Sequence, residues 1–291
     1  MFMSDIGDPV NRMPTFAAAR SFLFVPGSDE AKLAKALAAG ADAVIADLED
    51  AVVPAEKERA RHLVADALAA PAEPLRLARA NAHGTPWFEA DLDALAAAGL
   101  DGLVLPKATP AAAAAAGRAG VPVVAIVETA AGLQQAAALA ETPGVVALLL
   151  GAVDLRLELG LEERPDGLEL LVPRATLVAA SAAARRRGPV DQVWVDVRDD
   201  EGLERDCRLA RSLGFRGKAC IHPAQVPVVN EAFAPSEQEL RRAREVVAAY
   251  ERAAAEGKGA VALDGELVDL PVVERARQVL ADAKRGVLHG D

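Results

Sequence analysis

At 291 residues the chain is long enough for a full α/β core, such as one barrel of about 250 residues with an appendage. Asp and Glu total 43 against 32 Lys and Arg, a net charge of -11, which excludes a general nucleic-acid-backbone partner but not a compact anion held by a few arginines. No apolar run reaches the roughly 20 residues of a membrane span, and two cysteines give no disulfide framework, as suits a reducing cytoplasm.

The first fourteen residues carry Asp5 and Asp8 and lack a basic, apolar signal pattern, so residues 1–19 read as a flexible leader. Arg20 to Val25 (RSFLFV) predicts a first strand closed by Pro26-Gly27, and Asp29 a helix cap before a stop at Gly40. The cycle repeats with strands at 43–47, 75–80 and 102–105, and helices at about 55–69, 87–98 and over the alanine tract 111–116. Strands at 121–127 and 145–150 flank a helix at 132–140. After Asp154 comes a longer polar passage, RLELGLEERPDG, then a helix at about 173–187, a strand at 192–197, a helix at 201–213 and a strand at 218–221. Eight strands alternating with helices over short loops predict a TIM (β/α)8 barrel over 20–235. An open doubly wound sheet is the runner-up, disfavoured by the absence of a G-x-G-x-x-G after the first strand.

From 236 to 291 the pattern changes to a charged amphipathic helix, an Asp264-Gly265 hairpin and a terminal helix opened by Pro271. A piece that small is expected to bury no core alone, so it should pack across a barrel, its own or a neighbour's.

The two central apolar strands each end in an acid, Glu128 and Asp154. Ligands of α/β barrels bind at the carboxyl ends of the strands, and a hard dication between two such acids would relieve their repulsion. The competing account is that each acid caps the helix that follows it. Arg79 ends another strand, where a planar guanidinium can hold a carboxylate or thioester oxygen through two donors, or else pair with the Asp47-Leu48-Glu49-Asp50 turn. Glu49 and Asp50 are candidates to hold a metal's waters. Arg20 and Lys32 are candidates for anionic substrate groups, with surface solvation competing for Lys32. Lys107 follows the fourth strand, where a Schiff-base lysine could also stand.

The motifs RSFLFVPGS, DLEDAV with Lys57 and Arg61, Arg79-Ala80-Asn81, Leu105-Pro106-Lys107, Ile126 to Thr129, Gly151 to Leu155 and GFRGKACIHPAQVPVVNEAF together resemble the citrate lyase β-subunit-like branch of the HpcH/HpaI aldolase superfamily. The resemblance implies one Mg2+ on Glu128 and Asp154, substrate on Arg79 with Gly151-Ala152 beside it, and a lid aspartate, Asp269, that enters a neighbouring subunit's site. Val153 stands where that family usually has glutamate, and Ala131 where it usually has arginine. The implied activity is a Mg2+-dependent lyase cleaving a 3-hydroxyacyl-coenzyme A thioester into a 2-oxo acid and an acyl thioester, in a homo-oligomer of three or six. The alternatives are Schiff-base chemistry on Lys107, or a carrier-docking subunit of a larger lyase assembly.

Overall fold

A computed structural model describes residues 13–287, with side chains described from 16 to 283. A short helix α1 (Met13–Ala18) leads into β1 (Ser21–Pro26), α2 (Glu30–Leu37), β2 (Ala43–Asp47), α3 (Lys57–Ala69), β3 (Leu75–Arg79), α4 (Phe88–Ala97) and β4 (Gly102–Leu105). Then follow α5 (Pro110–Ala116), β5 (Val123–Val127), α6 (Ala130–Gln134), α7 (Ala136–Glu141), β6 (Val145–Leu150), α8 (Ala152–Leu159) and α9 (Leu171–Ala183). The barrel ends with β7 (Val190–Asp191), α10 (Asp200–Leu213), β8 (Gly217–Cys220) and α11 (Gln225–Phe233). The eight strands are parallel, lie in chain order, and close where β1 pairs with β8.

Strand side chains alternate between two cores, as a pleat with period two requires. One row, including Phe22, Ile45, Leu77, Val104, Ile126 and Leu149, fills the barrel interior. The other, including Leu23, Val44, Ala78, Leu103, Ala125 and Leu148, meets the helices. Each of the larger fully buried side chains contributes about 1.5–3 kcal/mol by burial. Alanine-rich α5 presses Ala112, Ala113 and Ala116 into the outer core, so its small side chains let it lie close to the sheet.

Several sequence expectations need correction. The leader is not loose up to residue 19. Met13–Ala18 is helical, and Phe16 is buried in the inner core, where Gly102 leaves room for its ring because a Cβ there would stand 2.8 Å from the Phe16 Cζ. The expected strand 192–197 is displaced: β7 is only Val190–Asp191, and Val195 and Val197 beyond it are exposed. The alternating QVWVDV pattern looked strand-like, but pairing falls on the two residues before it and burial ends at Gln192. The helix over 132–140 is two helices broken at Gln135, and the polar passage after Asp154 begins inside an unforeseen helix, α8.

So short a strand forms one ladder pair with β6 and two with β8. A buried charge network compensates. Arg174 of α9 donates to Asp191 at 3.0 and 2.8 Å and to Asp206 of α10 at 2.7 Å, while Lys218 of β8 donates to the same two carboxylates. Each acid thus faces two cations. The charges hold Asp206 down at about 2 even though burial opposes them.

A second compact unit runs from Ala234 onward. α12 (Glu237–Ala255) opens on a capping box, with Ser236 Oγ accepting the Glu239 N–H and Glu239 accepting the Ser236 N–H. A hairpin follows, β9 (Val261–Leu263) with β10 (Glu266–Val268), turning at Asp264 and Gly265 with φ of 53° and 85°. α13 (Leu270–Val287) closes the unit. Contrary to expectation, this unit buries a small core of its own, Ala243, Val246, Val268, Val273 and Ala276.

Candidate active site

The inward rows of the barrel turn polar at its carboxyl end. Two residues after inward Ile45, Leu77 and Ile126 stand Asp47, Arg79 and Glu128. Register places Asp47 opposite Arg79. The guanidinium donates from Nε and Nη2 to the two Asp47 oxygens, both at 2.6 Å, and its Nη1 lies 3.0 Å from Glu49 and 3.2 Å from Asp50. Burial works against the Arg79 charge, but these three acids outweigh it and raise its pKa further. Phe24 packs on the same group, its ring centre 5.4 Å from Cζ. The turn carrying the acids is itself braced by Lys57, whose buried ammonium donates to the Leu48 and Glu49 carbonyls at 2.6 Å.

Glu128 is 4% exposed. Its Oε1 accepts the Lys107 main-chain N–H at 2.7 Å, and that lysine takes a left-handed φ of 47°, a conformation a side chain makes costly. The Lys107 ammonium reaches back to Glu49 at 2.8 Å; burial lowers its pKa, but Glu49 together with the charges of Glu128 and Asp50 raises it on balance. On the other side of Glu128 sits Gly151, whose Cβ, if present, would lie 2.5 Å from Glu128 Cβ and 2.7 Å from Oε2. The glycine therefore clears room for the carboxylate.

Asp154 lies in the first turn of α8 and lines the same cavity of about 370 Å³ as Asp47, Asp50, Arg79, Glu128, Gly151, Ala152 and Val153. Neither acid caps a helix. Thr129 caps α6 with its own hydroxyl, and Gly151 precedes α8 with no side-chain cap. The carboxyl of Glu128 is pushed up to about 7, by burial first, then by the charges of Glu49 and Asp154, against the pull of the Lys107 N–H. Burial likewise raises Glu49, whose Oε2 forms an ion pair with Arg79 but no aligned hydrogen bond.

Five carboxylates thus surround the cavity and its rim, against two cations. The acids are short of positive charge, which is what a bound dication would supply. Among the described residues no group of three or more His, Cys, Asp or Glu is disposed for a metal. A two-carboxylate site fits Mg2+, which keeps waters and open positions for substrate oxygens.

The structure brings Arg79, Glu128, Asp154, Gly151 and Ala152 to one cavity, with Glu49 and Asp50 at its rim. Arg20 does not join them. It stands before β1, at the amino end of the barrel, where Nε and Nη2 donate to Asp42 and Nη1 to the Asn230 carbonyl, so the expected substrate contact is withdrawn. Asp269 belongs to the second unit, and its Oδ1 accepts the Val272 N–H at 3.4 Å at the start of α13. Sequence reasoning offered the Asp47–Asp50 turn as a partner for Arg79 without singling out Asp47, and left out the Lys107 N–H and the apolar wall residues Val193 and Ile221. The signal for Asp47 was its place as the one acid closing the apolar strand AVIAD. Cys207 and Cys220 are buried, and burial pushes both thiols up to about 12, which leaves them inert.

Residues 20–223 match the family model described as HpcH/HpaI aldolase/citrate lyase, and residues 176–284 match one described as a C-C bond lyase of the TIM-barrel fold. The chain is 41% identical over 272 residues to a Cereibacter sphaeroides protein named (3S)-malyl-CoA thioesterase, covering 91% of this chain and 94% of that one. It is 36% identical over 278 residues to the citrate lyase subunit beta of Leuconostoc mesenteroides subsp. cremoris, covering 90% and 92%. Among solved structures, the Mycobacterium tuberculosis protein CitE, in complex with magnesium, acetoacetate and coenzyme A, superposes with a TM-score of 0.79 at 39% identity, covering 92% of this chain and 99% of that one.

Proposed function

Because the chain belongs to the HpcH/HpaI aldolase/citrate lyase family, we propose that it is a Mg2+-dependent carbon–carbon lyase acting on a 3-hydroxyacyl-coenzyme A thioester. Magnesium, coenzyme A and an oxo acid are bound by the similar CitE structure. The observation that carries the reading is the convergence of Glu128 and Asp154 on one cavity beside Arg79, in a setting short of positive charge.

Glu128 and Asp154 would hold the ion. Bound there, Mg2+ would supply Lewis-acid polarisation of the oxygen that becomes the 2-oxo carbonyl. Arg79, fixed by Asp47, orients the acid half with the remainder of its guanidinium face. The first N–H groups of α8, from Ala152 on, have no partner within the helix and give the acid carboxylate further donors. Glu49 and Asp50 would hold the waters around the ion.

Cleavage breaks the bond between the hydroxyl-bearing carbon and the α carbon of the thioester. The hydroxyl proton passes to water, the O–H electron pair forms the new carbonyl, and the broken bond's pair stays on the α carbon as an enolate. Asp269, delivered by a neighbouring subunit's second unit acting as a lid, gives the proton that completes the acyl thioester, and in condensation removes it again. The assembly this needs is a closed trimer or a dimer of trimers, in the cytoplasm.

The test is cleavage of malyl-, citramalyl- and citryl-thioesters with and without chelator, together with Mg2+ calorimetry on Glu128→Gln and Asp154→Asn. Full activity in excess EDTA, or unchanged Mg2+ affinity in both variants, would overturn the proposal. Asp269→Asn keeps the helix cap and should lose turnover while keeping Mg2+. The relative named a thioesterase favours a second step, hydrolysis of the thioester after condensation. Release of free coenzyme A thiol in step with product would show it.

A further inference from the structure

Resting on the lyase reading, we infer that the 2-oxo acid half of the substrate is a monocarboxylate bearing a small alkyl group, not a dicarboxylate and not the bare two-carbon acid.

The first ground is charge. A second carboxylate on the oxo acid needs a cation or a neutral donor of its own, because a buried unpaired anion is costly. Arg79 is the one cation lining the cavity among the described residues; it is bound to Asp47 through two hydrogen bonds and to Glu49 and Asp50 through Nη1, and what remains of its face serves the first carboxylate. Lys107 is held by Glu49. No Ser, Thr, Tyr, Asn, Gln or His lines the cavity among the described residues. A dication bound to Glu128 and Asp154 would satisfy the first carboxylate of the acid and still leave the five acids in excess over the ion, Arg79 and Lys107 together. A second carboxylate would enter a negative field with no side-chain partner among the described residues that line the cavity.

The second ground is the wall. Phe24, Ile126, Leu149, Val153, Val193 and Ile221 line the cavity beside the acids. Val153 is 53% exposed and Ile221 41% exposed, high for large apolar side chains, so both present open apolar surface that an alkyl group would cover. Val153 directly precedes Asp154, which sets this surface next to the acid that would hold the ion.

The experiment uses the Mg2+-loaded enzyme and three probes, glyoxylate, pyruvate and oxaloacetate. Each is titrated calorimetrically, and each is assayed with acetyl-coenzyme A for condensation. One methylene in an apolar pocket is worth about tenfold or more in specificity. Pyruvate should therefore exceed glyoxylate in kcat/KM by at least about tenfold and should bind where oxaloacetate does not. Val153→Arg adds the missing cation and should move the preference toward oxaloacetate, with pyruvate binding weakened. Tighter binding or faster turnover of oxaloacetate by the wild-type enzyme would overturn the inference while leaving the lyase reading intact, as would glyoxylate as the preferred acid. Failure of all three to bind or react would overturn the lyase reading, and this inference with it.

Discussion

Replacing Gly151 with alanine tests how tightly the two central strands hold the acid that ends one of them. The backbone at Gly151 has φ of -92°, so alanine is not strained there. The difficulty is space. The new Cβ would meet Glu128 Cβ at 2.5 Å, Glu128 Oε2 at 2.7 Å and Ile126 Cγ2 at 2.8 Å. The strands cannot slide apart, because the Gly151 N–H donates to the Val127 carbonyl at 3.0 Å and β5 and β6 are paired along their length. Glu128 must therefore swing away and lose the Lys107 N–H. Overpacking costs about 1–3 kcal/mol and a hydrogen bond to a charged group about 1.5–3. We expect a loss near 3 kcal/mol, seen as a fall in the melting midpoint of roughly 6–12 °C. Mg2+ affinity should drop at least about tenfold by calorimetry, the lower end of what misplacing a metal-site group costs. A variant that melts like the wild type and binds Mg2+ equally well would refute this account of Gly151 as the clearance for a metal-holding carboxylate.

The remaining predictions concern charge. In chelator, Glu128 has a folded pKa of about 7 against a usual 4.5, so its contribution to stability is complete below about 4.5 and is lost as pH rises through about 7. The loss amounts to about 3 kcal/mol at most. Thermal melts in EDTA from pH 5 to 8 should therefore fall with pH, Mg2+ should reverse that slope, and a midpoint that climbs without metal would contradict it. Lys218→Met leaves Asp191 and Asp206 to share Arg174 and should cost about 3–5 kcal/mol in urea unfolding. An unchanged midpoint would mean the buried network contributes nothing to closure. Borohydride with a 2-oxo acid should leave no adduct on Lys107, because its ion pair with Glu49 favours the charged ammonium. An adduct at that mass would restore Schiff-base chemistry.

The eightfold strand–helix alternation was legible because most strands carry unbroken apolar runs bounded by turn residues. β2, β4 and β6 begin and end where the sequence placed them. β7 was not, because its identity rests on Asp191 meeting Arg174 and Lys218, partners that are 17 and 27 residues away in the chain. α8 was hidden because its outward face, with Val153 and Leu157, mixes apolar and charged residues without a clear stripe. Glu128 and Asp154 could be singled out as the first acids past two buried strands. Arg20 was misplaced for the complementary reason: a charged residue before a strand looks much like one after it, yet a parallel barrel puts the two at opposite ends. The Lys107 N–H left no trace in the sequence, since its role depends on where β4 stops relative to β5.

With only one rung on one flank and two on the other, the seventh stave of the barrel is held more by side-chain charge than by main-chain ladder. Its amides should exchange with deuterium sooner than those of the neighbouring β6 and β8. The stretch leaving that stave carries Val193, part of the apolar wall. Breathing at this seam would thus loosen the wall at Val193, which lines the same cavity as Asp154.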